Sequence, residues 1–376
     1  MKKLLSLTIV FCCVLAMPVV AGMKSNSAND NASQNNRSDL FRPMHATNIK
    51  IAKKKVLSPD IIREIKSRPE TPPGRDRNEE VPVEEPVEAN AATGVLGELL
   101  VEGANKYAVV IGICDYPDRR MDICLSDGDS YNMYKALTEL YGYKAENIYW
   151  FRDKGGSINI NGDEISYEIP THQNIKNAVI DIKAKVGSND KNDEVVFFFS
   201  GHGTNGIVAD GIVAGEDDGE YIDEGIVVYD SDGKRDGDRS SKLDFIWDGE
   251  LRNWFDGFAT DRIIFIFDTC RAGGMKDLDG DGRIIVMSSE EDQYSYVYSY
   301  GEFGEGMFSH YFVNEGMLQD LADTYDNVLN TEDVTIEEAF DYAKENIPLY
   351  LTGEQTPTVN DFFTDDLLLG YYSPTS

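Results

Sequence analysis

Basic residues are scarce in this chain: 35 Lys and Arg stand against 67 Asp and Glu among 376 residues, for a formal net charge of −32 at pH 7. That imbalance repels phosphate backbones and anionic headgroups, which argues against nucleic acid and anionic membrane surfaces as partners. Histidine is scarcer still, with four residues, and cysteine has five. A stretch long enough to span a membrane is also missing at the start of the chain. The apolar run from Leu4 to Leu15 falls short of the roughly 20 residues that a span requires. It follows Met1-Lys2-Lys3 and precedes Val19-Val20-Ala21-Gly22, the pattern of an export signal cut after Ala21. Residues 1–21 are therefore expected to be a signal peptide and the mature protein to be periplasmic or extracellular. Cys12 and Cys13 would leave with it, so Cys114, Cys124 and Cys270 remain. An odd number of cysteines in an exported chain points to a free thiol. Cys114 and Cys124 either pair or pack as thiols. No repeat at a fixed period is visible.

Composition divides the rest. Residues 22–105 carry 12 Lys/Arg against 13 Asp/Glu, with an Asn/Ser-rich start and a Pro/Glu-rich stretch from Arg68 to Pro86. Little there builds a core, so this reads as a flexible leader or prosegment. Its amphipathic stretches, around Ile51–Ile65 and Gly94–Val101, are placed to dock on the domain C-terminal to it. Residues 106–376 hold 21 Lys/Arg against 54 Asp/Glu, so the acidity belongs to the folded domain. Continuous apolar strands are expected at Tyr107–Gly112, Asn147–Phe151, Val195–Phe199, Ile263–Phe267 and Arg283–Ser288. They alternate with helices at Asp129–Leu140, Thr171–Val186 (capped by Thr171), Asp248–Phe255, Phe308–Gly316 and Thr335–Asn346. Tyr131, Tyr134, Leu137 and Leu140 are spaced for one helix face. The fold class is α/β, a mainly parallel central sheet flanked by helices.

Two segments follow buried strands and carry the chemistry: Ser200-Gly201-His202-Gly203 and Asp268-Thr269-Cys270-Arg271-Ala272-Gly273-Gly274. Catalytic groups in such sheets gather at the carboxyl ends of the strands. A thiol becomes a useful nucleophile as a thiolate, and an imidazole delivered to the same sheet end can take its proton. His202, between glycines, has the freedom for that task. His45 lies in the leader, His172 starts a helix and His310 sits inside one; each reads as a surface or packing residue. The turn after Cys270 and the N–H of Gly203 can face a developing oxyanion.

These two motifs resemble the dyad motifs of caspase-like cysteine peptidases, the group that includes metacaspases, paracaspases and legumain relatives. The resemblance runs from about Lys106 to Tyr372 and includes Gln355-Thr356-Pro357-Thr358. It implies a caspase–hemoglobinase fold, a His202/Cys270 dyad, and an oxyanion hole from the amides of Gly203 and Cys270. By resemblance to metacaspases, Asp268 and Asp129 would form the pocket for an Arg or Lys before the cut bond, which carboxylates suit through charge-assisted hydrogen bonds. Gly128 stands where many metacaspases carry Asn, and Arg271 replaces their usual His, so legumain-like cleavage after Asn or Asp stays open. So do transamidation and a non-catalytic acidic scaffold, although a scaffold has no need of both dyad side chains.

Asp277, Asp279 and Asp281 are spaced like the first half of a calcium loop, with Ser288 where its closing acid would stand. The stretch from Asp210 to Asp238 holds 11 acids in 29 residues, a density that calls for cations or basic neighbours. No cofactor is required for the chemistry itself; calcium is expected as an activator. Lys53-Lys54-Lys55, Arg75 and Arg77 in the leader, and Lys234 and Arg235 in the acidic loop, are expected sites of self-processing, which would make the intact chain a zymogen. Protein or peptide substrates with basic residues are the expected partners.

Overall fold

Runs of β-branched and aromatic residues form the centre of the molecule because each such strand can bury both faces. In the computed structural model the described residues are 46–56, 90–117, 121–123, 126–188, 192–208, 222–230, 243–300, 303–323, 334–348, 351 and 353–373. The expected signal peptide, Cys124, Arg75, Arg77, Lys234, Arg235 and most of the acidic loop lie outside them.

The chain enters through two leader strands, β1 (Ala46–Ala52) and β2 (Lys55–Val56). The central sheet uses β3 (Lys106–Gly112) and β4 (Ile148–Arg152), a hairpin of β5 (Gly156–Ile160) and β6 (Asp163–Tyr167) comes next outside it, and β7 (Glu194–Ser200) returns to it. Then come β8 (Gly203–Val208), β9 (Ile222–Tyr229) and β10 (Leu243–Trp247), which belong to a second sheet. The central sheet resumes with β11 (Ile263–Asp268) and β12 (Arg283–Met287). A small sheet takes β13 (Tyr296–Tyr300) and β14 (Phe303–Gly306), and β15 (Thr358–Asp361) closes the central one. The order is β15-β12-β11-β7-β3-β4. All neighbours are parallel except β15, which runs antiparallel to β12 at the rim. The α/β sheet expected from the alternating pattern is present.

Alternate residues of these strands feed two cores. Val110, Val196, Phe198, Ile264 and Ile266 pack with Met133, Phe312 and Phe340 on one face. Val109, Phe197, Phe199, Phe265 and Phe267 pack with Ile175, Val179 and Phe255 on the other. Burying each such side chain contributes about 1.5–3 kcal/mol, so ten strand residues facing two helical layers anchor the sheet ends firmly. Thr171 caps its helix by accepting from Asn174 N at 3.1 Å, and Thr335 with Glu338 forms a capping box.

One helix face departs from the expected spacing. The helix Ser126–Lys135 passes into a π turn at Ala136–Leu140, and Tyr141 N donates to Ala136 O, five residues back. The wider turn shifts the phase, so Leu137 is buried while Leu140 is 44% exposed. The helix expected at Phe308–Gly316 is likewise a π-type segment, His310–Leu318, preceded by a short turn of α-helix.

Residues 46–56 and 90–104 pack on the domain. β1 pairs antiparallel with β8, giving a second sheet of order β1-β8-β9-β10, and β2 pairs parallel with β13. The Asp366 carboxylate accepts from the N–H groups of Thr93 and Gly94. The compositional boundary at residue 105 is therefore not a spatial one.

Candidate active site

The pairing of β7 with β11 sets Ser200 opposite Asp268, so His202 and Cys270 each lie two residues past the end of neighbouring parallel strands. The two turns touch. A Cβ added to Gly203 would lie 2.0 Å from the Cys270 carbonyl oxygen and 2.9 Å from Thr269 Oγ1, so only glycine fits there. Arg271 adopts the left-handed conformation, φ 63°, which turns the chain sharply after Cys270. Its N–H donates to Gln293 O, while Thr269 N and Ala272 N donate to the hydroxyls of Ser288 and Ser289.

His202 is fully buried. Its Nε2 lies 2.7 Å from Met121 O, which makes Nε2–H the donor and leaves Nδ1 as the acceptor. The Tyr116 ring stacks on the imidazole at 4.8 Å, and Tyr116 Oη accepts from His202 N at 2.8 Å. Burial first, and then the nearby charge of Lys54, push the imidazole down to about 3 against the opposing bond to Met121 O. Cys270 is 1% exposed. Its Sγ accepts from Ser295 N at 3.2 Å, and burial pushes the thiol up to about 11. Both groups are therefore neutral at pH 7. Among the described residues they make no hydrogen bond to each other, and Nδ1 instead accepts from Lys54 N at 3.2 Å.

The expected specificity acids do converge. Lys54, from the leader, sends its ammonium between them with no side-chain exposure: 2.8 Å to Asp268 Oδ1, 4.0 Å to Asp129 Oδ2 and 3.0 Å to Ser200 Oγ. Asp268 also accepts from Ser295 Oγ at 2.7 Å and from Ser309 N and Oγ at 3.0 and 2.7 Å. Asp129 accepts from Ser200 Oγ at 2.5 Å and from Gly306 N at 2.9 Å. Burial opposes ionisation of Asp268, yet Lys54 and these donors hold it below the usual carboxylate range. Asp129 goes the other way, pushed well up by burial and by the Asp268 charge. The pocket thus balances one cation with one carboxylate. Its roof requires Gly306, where a Cβ would lie 1.9 Å from Asp268 Oδ2 and 2.8 Å from Lys54 Nζ.

Sequence reasoning placed His202, Cys270, Gly203, Asp268 and Asp129 here, but missed Ser200, Ser295, Ser309, Gly306, Tyr116 and the Met121 carbonyl. Small polar residues on distant loops leave no local pattern. Lys54 was visible only as part of a basic triplet. Gln355 reinforces the same loop: its amide accepts from Tyr296 N at 2.9 Å and donates to Ser288 O at 3.2 Å.

The half calcium loop is not assembled as its spacing suggested. Asp279 and Asp281 are exposed, Arg283 donates to the carbonyls of Leu278 and Asp279, and among the described residues the three carboxylates do not gather within ligand distance of one another. Asp277 instead neighbours buried Asp248, whose carboxyl is pushed well up by burial and then by Asp223, Glu224 and Asp277. Glu224 packs on Gly274, where a Cβ would meet its side chain at 2.4 Å, directly behind the turn that carries Cys270. Elsewhere, Cys114, Asp127 and Asp153 bring ligand atoms within 4.8 Å of one another. Arg152 already engages Asp127 at 2.7 Å, and Asp153 accepts from two backbone amides.

The other described histidines hold structural partners. His172 meets Glu250 at 3.0 Å. His310 lies 2.6 Å from Glu305 and 3.2 Å from Glu315.

Residues 105–368 match the family model described as the caspase domain. Metacaspase-4 of Arabidopsis thaliana is 35% identical over 173 residues, covering 46% of this chain and 34% of that protein; the chain thus spans about a third of the relative's length. Among solved structures, the Drosophila initiator caspase Dronc aligns with a TM-score of 0.45 and 10% identity, covering 78% of this chain and 98% of that one. Caspase-1 from Spodoptera frugiperda aligns at 0.42 and 11%, covering 79% and 99%.

Proposed function

The chain belongs to the caspase domain family, and from that premise we propose that it is an exported cysteine endopeptidase that cuts protein or peptide substrates after Arg or Lys. The observation that carries the specificity is the buried pocket itself, which holds a lysine ammonium 2.8 Å from Asp268 with Ser200 and Asp129 beside it. A guanidinium has the same charge and more donors. Asn or Asp would leave the Asp268 charge without a cation in a buried site, which costs several kcal/mol.

The chemistry rests on the tautomer that Met121 sets. Once the Lys54 N–H leaves Nδ1, His202 takes the Cys270 thiol proton there, and the thiolate attacks the carbonyl carbon of the residue in the pocket. The oxyanion faces the amides of Gly203 and Cys270. His202 then returns the proton to the departing nitrogen, leaving a thioester that water hydrolyses to release acid and thiol. Export is supported by the pattern of residues 1–21, and the acidic surface favours cationic peptides over nucleic acid. No helix among the described residues is long and apolar enough to cross a membrane.

Calcium activation is part of this reading. Asp223, Glu224 and Asp277 oppose ionisation of buried Asp248 behind the Cys270 turn, and a hard cation bound nearby would relieve that repulsion. Self-processing is directed at the basic positions Arg75, Arg77, Lys234 and Arg235, acted on by a second molecule.

A fluorogenic panel with Arg, Lys, Asn and Asp before the reporter, run with and without calcium and with Cys270→Ala as control, tests the whole reading. Arg and Lys substrates are expected to be cleaved and the variant to be silent. Equal or better cleavage after Asn or Asp would sink the specificity. Calcium activation fails if chelation leaves both melting temperature and activity unchanged.

A further inference from the structure

Two backbone pairings carry the leader through the cleft. β1 runs antiparallel to β8 as far as Ala52, opposite Gly203. β2 runs parallel to β13, with Lys55 opposite Tyr296. Between them Lys54 turns its side chain into the acid pocket and its own N–H onto His202 Nδ1 at 3.2 Å. The next nitrogen, that of Lys55, donates to Ser295 O at 3.1 Å.

Cleavage imposes an order on these atoms. The side chain in the pocket and the carbonyl under attack belong to one residue, and the nitrogen that leaves belongs to the next. The imidazole must deliver its proton to that leaving nitrogen. Here the order is inverted. The nitrogen facing the imidazole is that of the pocketed residue itself, so the bond it serves is Lys53–Lys54. The acyl side of that bond belongs to Lys53, whose side chain is exposed rather than in the pocket. The bond after Lys54 has its nitrogen tied to Ser295.

We infer that Ala46–Val56 is a tethered inhibitor bound backwards through the cleft: Lys54 fills the pocket without presenting a bond that can be cut, and the enzyme is released by displacement of the segment. This deepens the reading of the cleft as a site for basic side chains and rests on it. The state of the dyad agrees. Lys54 N–H occupies the imidazole nitrogen that must take the thiol proton, and His202 and Cys270 are buried beneath the segment. Displacement is an exchange, because an incoming Arg or Lys takes over Asp268, Ser200 and Asp129 from Lys54. On the β13 side the strap holds by a strand of only two residues.

The test uses the full chain and two readouts: the rate of Cys270 alkylation by iodoacetamide, located by peptide mapping, and turnover of the Arg and Lys substrates. Wild type is expected to react slowly. Lys54→Gln, which keeps the length but loses the charge, is expected to be alkylated at least about tenfold faster as the population shifts to the open cleft, with its leader intact by mass. Lys54→Arg is expected to stay as slow as wild type, which separates occupancy of the pocket from general loosening. A wild-type product beginning at Lys54 or Lys55 at the onset of activity would overturn the inference, as would a Lys54→Gln protein alkylated no faster than wild type. Faster alkylation combined with cleavage after Asn or Asp alone would leave the strap standing and remove the basic specificity.

Discussion

The strands β7 and β11 carry a buried ion pair at each end, and the two pairs are built differently. At the start of the strands Arg262 meets Glu194 at 2.7 Å, with 3% and 0% side-chain exposure. Its remaining donors reach Glu98 O at 2.6 Å and Leu368 O at 2.8 Å. Glu194 in turn accepts from Tyr143 Oη at 2.6 Å and Gly370 N at 2.8 Å. At the other end Lys54 meets Asp268 with no exposure at all, but its ammonium comes from a strap rather than from the domain. Depth of burial is alike; covalent ownership of the cation is not. A guanidinium held by one carboxylate and by the carbonyls of two further segments ties those segments to the strand starts. An ammonium held in a pocket of hydroxyls and carboxylates can be replaced by another one.

That contrast predicts opposite consequences for removing the cation. Arg262→Ala strands Glu194 in the interior, and urea unfolding should show a loss of about 3–5 kcal/mol. Lys54→Gln should lose far less in the same measurement, since the strap can lift and let water reach Asp268. Comparable losses would mean that the strap is as integral as the core.

A smaller effect concerns the acid. In the Lys54→Gln background, Asp268→Asn should lower kcat/KM for an Arg substrate about 100-fold, the equivalent of ~3 kcal/mol for one charge-assisted contact. Retained activity would shift selection to Asp129 and the serines.

The smallest effect lies beside the pocket, where Glu305 at the end of β14 adjoins Gly306. Burial opposes charge on His310, but Glu305 and Glu315 carry it up to about 9. A histidine whose folded value exceeds its unfolded 6.5 stabilises fully below 6.5 and loses that contribution as pH rises through about 9. Glu305, held below the usual range despite its burial by His310, Asn314 and Asn132, loses its own contribution as pH falls through that lowered value. Melting temperature should therefore decline between pH 7 and 10, and His310→Gln should flatten the decline. An unchanged slope would show that the triad does not set it.

What the sequence made legible depends on how locally each feature is encoded. Strands such as Val195–Phe199 and Ile263–Phe267 announce themselves because burial on both faces demands unbroken apolar runs. His202 and Cys270 were readable because each comes within a few residues of such a run. The expected specificity acids converged for the same reason, Asp268 being the last residue of β11. The phase of Leu140 was not readable, since a π turn is decided by the tertiary fit of Tyr141 and Tyr143 rather than by spacing. The arrangement around Asp277, Asp279 and Asp281 was not readable, because alternating acids say nothing about which neighbours each carboxylate turns toward. Lys54 was hidden most deeply: its role depends on the direction in which β1 and β2 cross the cleft, and no composition encodes direction.

β8 has its own consequence. With the leader in place it is an interior strand, flanked by β1 and β9. When the strap leaves, β8 becomes the rim of a three-stranded sheet, and a row of peptide groups that was paired faces solvent. Such a rim recruits extended chain and rejects helices and folded surfaces. The released enzyme would then choose its targets first by local unfolding, reading a basic residue only within segments loose enough to lie down as a new strand.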